Sequence, residues 1–296
     1  MNPLTLSLPS DVLREGTRRL AAAGLESARL EAERLLGGLL GVERLALYLQ
    51  DGDVSDDMVQ RFFSQIDARA SGIPLQYLLH EADFYGQPFR VAPGVFIPRP
   101  ETEVIVQAAL TEFRALEERL RRPLRVLDAG TGSGCIAATL ARALPTCVVV
   151  GVELSWNALQ VARENVQHLG VSARVHLVQG RWLESIQGRF DGLVANPPYI
   201  PSSQVERLPL DVRQEPRLSL DGGHDGMRDL LELMAQVPRL VSPGGVAVFE
   251  SGEAHVEPLL AAARVAAWVE RVSPLDDLAH RPRGVVMTCA STATVL

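Results

Sequence analysis

From Arg99 onward, short runs of consecutive apolar residues alternate with segments of helical period, and no other feature of the chain narrows the fold as far. Residues 124–128 (LRVLD), 147–153 (CVVVGVE), 173–178 (ARVHLV), 190–195 (FDGLVA), 245–250 (GVAVFE) and 284–289 (GVVMTC) read as strands. Helices are expected over IAATLARAL after the first and over SWNALQVARENVQHLG after the second. Strands without polar alternation are buried on both faces, which requires helices on both sides of the sheet. The expected class is α/β, a doubly wound Rossmann-like sheet. Ligands of such sheets bind beyond the carboxyl ends of the strands. The residues that follow Asp128, Glu153, Val178 and Ala195 are therefore the candidates.

The 296 residues divide on pattern into about two domains. Residues 1–80 read as a compact helical bundle. Ser10 is expected to cap a first helix that stops at Gly24, and Ala28, Ala32, Leu35, Leu36 and Leu39 stripe a second. Ser55 begins a third, carrying Met58, Phe62 and Ile66. Residues 81–98 (EADFYGQPFRVAPGVFIP) alternate aromatic and β-branched residues around Gly86 and Gly94 and predict a β-hairpin linker. Residues 99–296 are the candidate catalytic domain.

All 29 basic residues are arginine. A Walker phosphate loop, a protein-kinase site and a pyridoxal Schiff base each need a lysine, so none is expected. Residues 1–98 carry 9 arginines against 13 acids, net −4, and residues 99–296 carry 20 against 23, net −3. Neither half has the basic surplus from which nucleic-acid binders draw affinity. The cluster Arg119, Arg121, Arg122 and Arg125 reads as the solvated C-terminal end of a helix. Cys135, Cys147 and Cys289 stand apart and the six histidines lack ligand spacing, so neither a disulfide framework nor a metal site is expected and a cytoplasmic setting is favoured. No apolar run reaches the ~18–20 residues that span a bilayer, and the N-terminal stretch lacks the order of a signal peptide.

The first strand leads through Asp128-Ala129-Gly130-Thr131-Gly132-Ser133-Gly134 into a helix, and Glu153 ends the second strand 23 residues after Gly130. Glycines allow a sharp turn and close approach of a ligand to the backbone. A carboxylate at the end of the second strand can accept both ribose hydroxyls of an adenosine cofactor. The loop is G-x-G-x-G with Cys135 in the sixth place, so it misses the dinucleotide fingerprint. Asp128 suits the cationic amino-acid end of S-adenosylmethionine, which has no pyrophosphate. A bare strand–helix turn is the competing reading. Cys135 itself reads as a small packing residue in that turn.

Asn196-Pro197-Pro198-Tyr199 follows the strand FDGLVA. Two prolines fix φ and remove two N–H donors, which leaves an asparagine carbonyl and a rigid backbone carbonyl as adjacent acceptors. Such a pair fits an NH2 group. A planar nitrogen is a poor nucleophile because its lone pair is delocalised, and it gains positive charge during methyl transfer. Acceptors on its hydrogens stabilise that charge. Tyr199 offers a packing face for the planar group. A purely structural Pro-Pro turn is the alternative.

With these residues together, the chain resembles the S-adenosylmethionine-dependent methyltransferases that act on planar nitrogen, in DNA, in ribosomal RNA or in protein. Ile97-Pro98-Arg99-Pro100-Glu101-Thr102-Glu103, Glu215-Pro216-Arg217-Leu218-Ser219-Leu220-Asp221-Gly222-Gly223 and Gly72-Ile73-Pro74-Leu75-Gln76-Tyr77 narrow the resemblance to the HemK/PrmC family of protein-(glutamine-N5) methyltransferases. It implies a class I methyltransferase fold, S-adenosyl-L-methionine as cofactor, and the Gly-Gly-Gln glutamine of class 1 peptide chain release factors as substrate. It implies that Gly130, Thr131, Gly132, Ser133 and Gly134 line the methionine end, that Glu153 holds the ribose and that Trp182 flanks the adenine. Asn196, also counted among the cofactor-binding residues, would with the Pro197 carbonyl hold the glutamine amide, with Pro198 and Tyr199 completing the loop. Arg181 stands where the family commonly has an acceptor for the adenine amino group, and arginine can only donate. Glu153 replaces the commoner aspartate, and His80 and Glu250-Ser251-Gly252 also depart from the usual forms. The helical bundle would dock the partner, with a monomer and no direct nucleic-acid substrate or membrane expected. An exocyclic-amino methyltransferase of DNA or RNA, and a non-catalytic binding module of the same fold, are the alternatives. For Glu101 both a role in the cleft and a place in an acidic first helical turn remain open.

Overall fold

The computed structural model describes residues 8–49 and 52–291. They form two compact units. The first ends at Glu81 and takes in Pro209–Gln214, and the second comprises Ala82–Leu208 and the chain from Glu215 onward.

The first unit is helical: α1 (Pro9–Ala22), α2 (Ala28–Leu40), α3 (Asp56–Ala70) and α4 (Leu75–Leu79). Ser55 caps α3, its side chain accepting from the Met58 amide at 3.4 Å. Ser10 does not cap α1. That helix begins at Pro9, whose fixed φ suits a first turn and whose missing N–H is no loss there, and Leu8 occupies the cap position. Val12, Leu20, Leu35, Leu36, Phe62 and Ile66 make the core. Gly16 lets α1 lie on the Phe62 ring, which a Cβ would meet at 2.5 Å. Arg69 is buried and bonded to Glu31 (2.6 Å), Asp211 (3.2 Å) and the Ile73 carbonyl (3.3 Å). Those bonds place the excursion Pro209–Gln214 with the helices, although it lies far along the chain from them.

A hairpin, β1 (Glu81–Phe84) and β2 (Gln87–Arg90), opens the second unit from its second residue, Ala82, onward. Tyr85 and Gly86 both have positive φ, as a tight two-residue hairpin turn requires. Pairing stops at Arg90, short of the hairpin expected through residue 98, because Pro93 and Pro98 can donate no ladder bond. The Tyr85 amide donates to Glu103 at 2.8 Å, so this acid ties the hairpin to the following helix.

That helix is α5 (Thr102–Leu120), and β3 (Arg125–Ala129), α6 (Cys135–Ala143), β4 (Val148–Glu153), α7 (Trp156–His168), β5 (Val175–Gln179) and β6 (Phe190–Ala195) follow. Then come α8 (Ser202–Val205), α9 (Arg228–Leu240), β7 (Val241–Glu250), α10 (Glu253–Val265), β8 (Val269–Asp276) and β9 (Pro282–Cys289). The sheet order is β5-β4-β3-β6-β7-β9-β8. Strands β3 to β7 are parallel, and β9 is antiparallel to both of its neighbours. Successive side chains on a strand face opposite ways. Val126 and Val194 join a core with Phe113, Ile136 and Leu140, while Leu127 and Leu193 join the opposite core with Leu230, Leu233 and Leu259. β8 has no counterpart in the apolar runs. It is an edge strand, mostly exposed, with Pro274 in it, so its sequence carries no burial signal.

The arginine cluster is an exposed helix end, as expected: Arg119 lies in the last turn of α5, Arg121 caps it, and Arg119, Arg121, Arg122 and Arg125 are all exposed, although three of them also reach back to the fold. Arg122 grips the buried Asp191 with two bonds of 2.8 and 2.6 Å, Arg119 donates to the Gly244 carbonyl at 2.6 Å, and Arg125 lies 4.8 Å over the Phe190 ring. These residues fasten the end of α5 to the entries of β6 and β7.

Gly192 in β6 has no side chain because the Phe113 ring occupies that space; a Cβ there would stand 2.2 Å from it. Phe113→Ala is expected to cost about 3–5 kcal/mol, and Gly192→Ala to destabilise by forcing the ring aside. Urea denaturation of the two single variants and the double should show strong non-additivity, the glycine substitution being tolerated once the ring is gone. Additive effects would refute the contact.

Candidate active site

The parallel register brings the candidate residues together. Ala129 on β3 pairs with Val152 on β4 and with Ala195 on β6, and Ala195 pairs with Phe249 on β7. One residue further along each strand lie Gly130, Glu153, Asn196 and Glu250. They share one sheet edge, where the strand order reverses around β3.

Gly130, Gly132 and Gly134 all take positive φ (76°, 56° and 81°). At Gly134 a Cβ would also press on Ala162 of α7 at 3.1 Å. The amides of Gly130 and Thr131 both donate to the Val152 carbonyl at 2.9 Å, which anchors the loop to β4. Asp128 is fully buried beneath it. Its Oδ2 accepts from the Thr131 hydroxyl at 2.5 Å and the Ala137 amide at 3.0 Å, and its Oδ1 has no partner among the described residues. Burial pushes the Asp128 carboxyl up to about 7, against the pull of those two donors, and the nearby Glu153 adds to the rise. Asn165 on α7 holds the loop from outside, donating to the Ser133 carbonyl at 2.8 Å.

Glu153 accepts from the Gly132 amide at 2.9 Å through one oxygen and from the Ser155 amide at 2.8 Å through the other. Its pKa is raised by burial, against those backbone bonds. Each oxygen keeps a lone pair for a further donor. Trp182 has positive φ (45°), and its ring stands 3.0 Å from the Cβ position of Gly130, so the aromatic residue and the glycine loop meet. Arg181 turns to Glu184 (2.9 Å) and Glu232 (2.6 Å).

Beyond β6, the Asn196 side-chain nitrogen donates to the Thr102 hydroxyl at 3.0 Å, which leaves its Oδ1 as the acceptor. The Tyr199 hydroxyl donates to Glu250 Oε1 at 3.4 Å. The two distant motif stretches are bonded to each other, and each also reaches this loop, through Thr102 and through Leu220 and Gly222. Glu215, buried, accepts from the Ile97 amide at 2.9 Å and pairs with Arg99. Ile200 bonds across to Leu220 (3.0 Å) and Gly222 (2.9 Å). Gly222 lies against the Pro198 carbonyl, where a Cβ would come within 2.7 Å.

Every residue expected in the site lies on this edge or in the loops that leave it. Thr102, Asn165 and Glu250 belong to the same assembly and had no role assigned from sequence. Glu250 ends β7 as Glu153 ends β4, so the strand-end rule could have found it. Thr102 and Asn165 lie on helices and carry no such signal. The three cysteines are buried, burial pushing their thiols up to about 12. Among the described residues no group of histidines, cysteines and acids could hold a metal, and no helix is long and apolar enough to cross a membrane.

Comparison with known proteins supplies the relatives. The PrmC N-terminal domain model matches residues 11–79, and the methyltransferase small domain model matches residues 104–209. The release factor glutamine methyltransferase of Moorella thermoacetica is 42% identical over 92% of this chain and 95% of that protein. The protein of the same name from Deinococcus radiodurans is 36% identical over 93% of this chain and 96% of its own. Among solved structures, the hMettl16 catalytic domain, crystallised with a 3′UTR hairpin, superposes with a TM-score of 0.54 at 15% identity, covering 83% of this chain and 86% of that chain. At that identity the likeness is one of fold.

Asp128 makes stability depend on pH. Its folded pKa is raised from the ordinary 3.8 to about 7, so its contribution is present in full below 3.8 and is lost as pH rises through about 7. Glu250, raised from 4.5 to about 7, acts in the same direction. The denaturation midpoint is expected to fall from about pH 5 to pH 8, and Asp128→Asn to make that fall shallower. An unchanged slope in the variant would show that Asp128 does not ionise in this window.

Proposed function

The chain belongs to the release factor glutamine methyltransferase family, and from that premise we propose that it transfers a methyl group from S-adenosyl-L-methionine to the side-chain amide nitrogen of the Gly-Gly-Gln glutamine in a class 1 release factor. The observation that carries this reading is the convergence of Asn196-Pro197-Pro198-Tyr199 with the glycine loop and Glu153 on one sheet edge.

The residues present suit that cofactor. Glu153 has spare lone pairs for two ribose hydroxyls. The unpartnered Asp128 Oδ1 offers a carboxyl oxygen beneath a loop that would receive a cationic amino-acid end. Gly130, Thr131, Gly132, Ser133 and Gly134 present backbone rather than side chains, and Trp182 supplies an aromatic face beside them. Arg181 is held by Glu184 and Glu232, so adenine recognition falls to backbone groups and to Trp182. When bound, the cofactor supplies a methyl group on a sulfonium, an electrophile that needs no metal.

The protein's task is then to aim a weak nucleophile. Asn196 Oδ1 and the Pro197 carbonyl accept the two hydrogens of the glutamine amide and turn its lone pair toward the methyl. As the bond forms, the nitrogen becomes positive, and these acceptors hold it more strongly than they hold the ground state. Pro197 and Pro198 keep the acceptors from relaxing away. Tyr199, tied to Glu250, packs the planar amide. The proton released after transfer leaves to solvent. The helical unit, residues 1–80, serves to dock the release factor, with residues 81–98, whose hairpin ends at Arg90, as the linker. The net charges of −4 and −3 in the two parts favour a protein over a nucleic-acid substrate.

Labelled S-adenosyl-L-methionine offered with release factor, its Gly-Gly-Gln glutamine-to-alanine variant, DNA and RNA should mark the intact factor alone. Label on DNA or RNA would overturn the substrate. Asn196→Ala should lower kcat by about 10²–10³-fold, the usual loss for one such acceptor or donor, with cofactor Kd changed less than about twofold. Full activity in that variant would remove Asn196 from the mechanism.

A further inference from the structure

One buried side chain joins the end of the hairpin to the glycine loop. Asn165 on α7 is 1% exposed. Its Oδ1 accepts from the Arg90 amide at 2.7 Å. Its Nδ2 donates to the Arg90 carbonyl at 3.0 Å and to the Ser133 carbonyl at 2.8 Å. Ala162, one turn earlier on α7, lies against Gly134, where a Cβ would stand 3.1 Å from it. One strip of α7 therefore backs the peptide between Ser133 and Gly134.

That peptide group is held through both of its polar atoms. Its N–H, on Gly134, donates to the Thr131 carbonyl at 2.8 Å, a bond within the loop. Its carbonyl, on Ser133, takes the Asn165 amide. Among the described residues, the Asn165 bond is the one that ties this peptide group to an element outside the loop. The glycines that make the loop possible also leave it the widest choice of other conformations. A loop that offers backbone to a ligand loses affinity to ordering unless its peptides are already fixed.

A carboxamide is nearly symmetric in shape, and its oxygen and nitrogen exchange places by a half-turn. The surroundings of Asn165 permit one orientation. Its NH2 group faces two carbonyl oxygens, which only accept, and its oxygen faces a single N–H, from Arg90. Turned round, the amide would lose all three bonds and bury like against like. The Arg90 peptide thus selects the orientation in which Asn165 can serve the loop. We propose that Asn165 is a positioning residue for cofactor binding, and that the backbone at the end of β2 supports the cofactor loop through it; this rests on the cofactor assignment made above. The Arg90 side chain is a separate matter, since it pairs on the surface with Glu164 at 3.0 Å.

The test measures the Kd of the full chain for S-adenosyl-L-methionine by calorimetry, and records the Gly134 amide 15N–1H signal without cofactor. Asn165→Ala should weaken binding about tenfold, the loss expected for one such bond. Asn165→Leu fills the space with no donor or acceptor and should bind no better; a packing role alone would be restored by it. Arg90→Pro removes the N–H that orients the amide and should weaken binding about as far. The double variant Arg90→Pro/Asn165→Ala should be no weaker than either single one, because both break one unit. Glu164→Ala breaks only the exposed ion pair and should leave Kd within about twofold. The Gly134 signal should move in Asn165→Ala and in Arg90→Pro. In Asn165→Ala, kcat at saturating cofactor and release factor should stay within about threefold of wild type.

A Kd within twofold of wild type in Asn165→Ala would overturn the proposal. So would recovered binding in Asn165→Leu, additive losses in the double variant, or a Gly134 signal that stays in place. Should Asn165→Leu fail to fold, Arg90→Pro and the double variant decide. Failure of wild type to bind S-adenosyl-L-methionine would refute the cofactor, while the Gly134 signal would still judge Asn165.

Discussion

Four parallel strands that stop at the same level hold the rest of the catalytic unit in place. Hydrogen-bonded register equates Ala129, Val152, Ala195 and Phe249, so the next residue of each strand enters one narrow strip. A slip of one residue would turn each strand's core side chains to the wrong face. The packing that keeps Val126 and Leu127 on opposite cores therefore also keeps Glu153 and Asn196 within one site. The geometry of the candidate site is a by-product of hydrophobic register.

Buried acids do much of the organising around that strip. Asp128, Glu153 and Glu215 each accept a backbone amide that would otherwise lie unpaired. Gly132 has positive φ, Ile97 precedes Pro98, and Ala137 lies in the first turn of α6, positions whose amides have no regular backbone partner. Two of the acids, Asp128 and Glu250, have no cation bonded to them and sit with pKa values raised by burial, whereas Asp191 and Glu215 are gripped by arginines. The first pair borders the proposed cofactor and substrate groups. The second pair fastens scaffold.

Much of the layout could be read from the chain. Apolar runs announced six of the seven strands of the main sheet, because burial on both faces leaves a continuous signature. β8 escaped, since an exposed edge strand needs no such run. Ser55 was legible as a cap and Ser10 misled, because Pro9 had already begun the helix. The arginines from Arg119 to Arg125 were legible as exposed helix-end charge, but their partners Asp191 and Gly244 are remote in sequence and were not. The glycine loop, Glu153 and Asn196 were visible because their chemistry is local to a strand end. Asn165 and Thr102 were not, because they lie on helices.

By itself, the sequence determined the layered α/β architecture, the glycine turn and the position of the Asn-Pro-Pro-Tyr segment after a strand, since each depends on residues within one short segment. The tertiary structure alone decided which groups the side chains of that segment meet. Thr102 and Asn196 are 94 positions apart, and Tyr199 and Glu250 are 51. The direction of a hydrogen bond between such residues depends on where strand register and helix packing set their atoms, and local propensity carries no record of that.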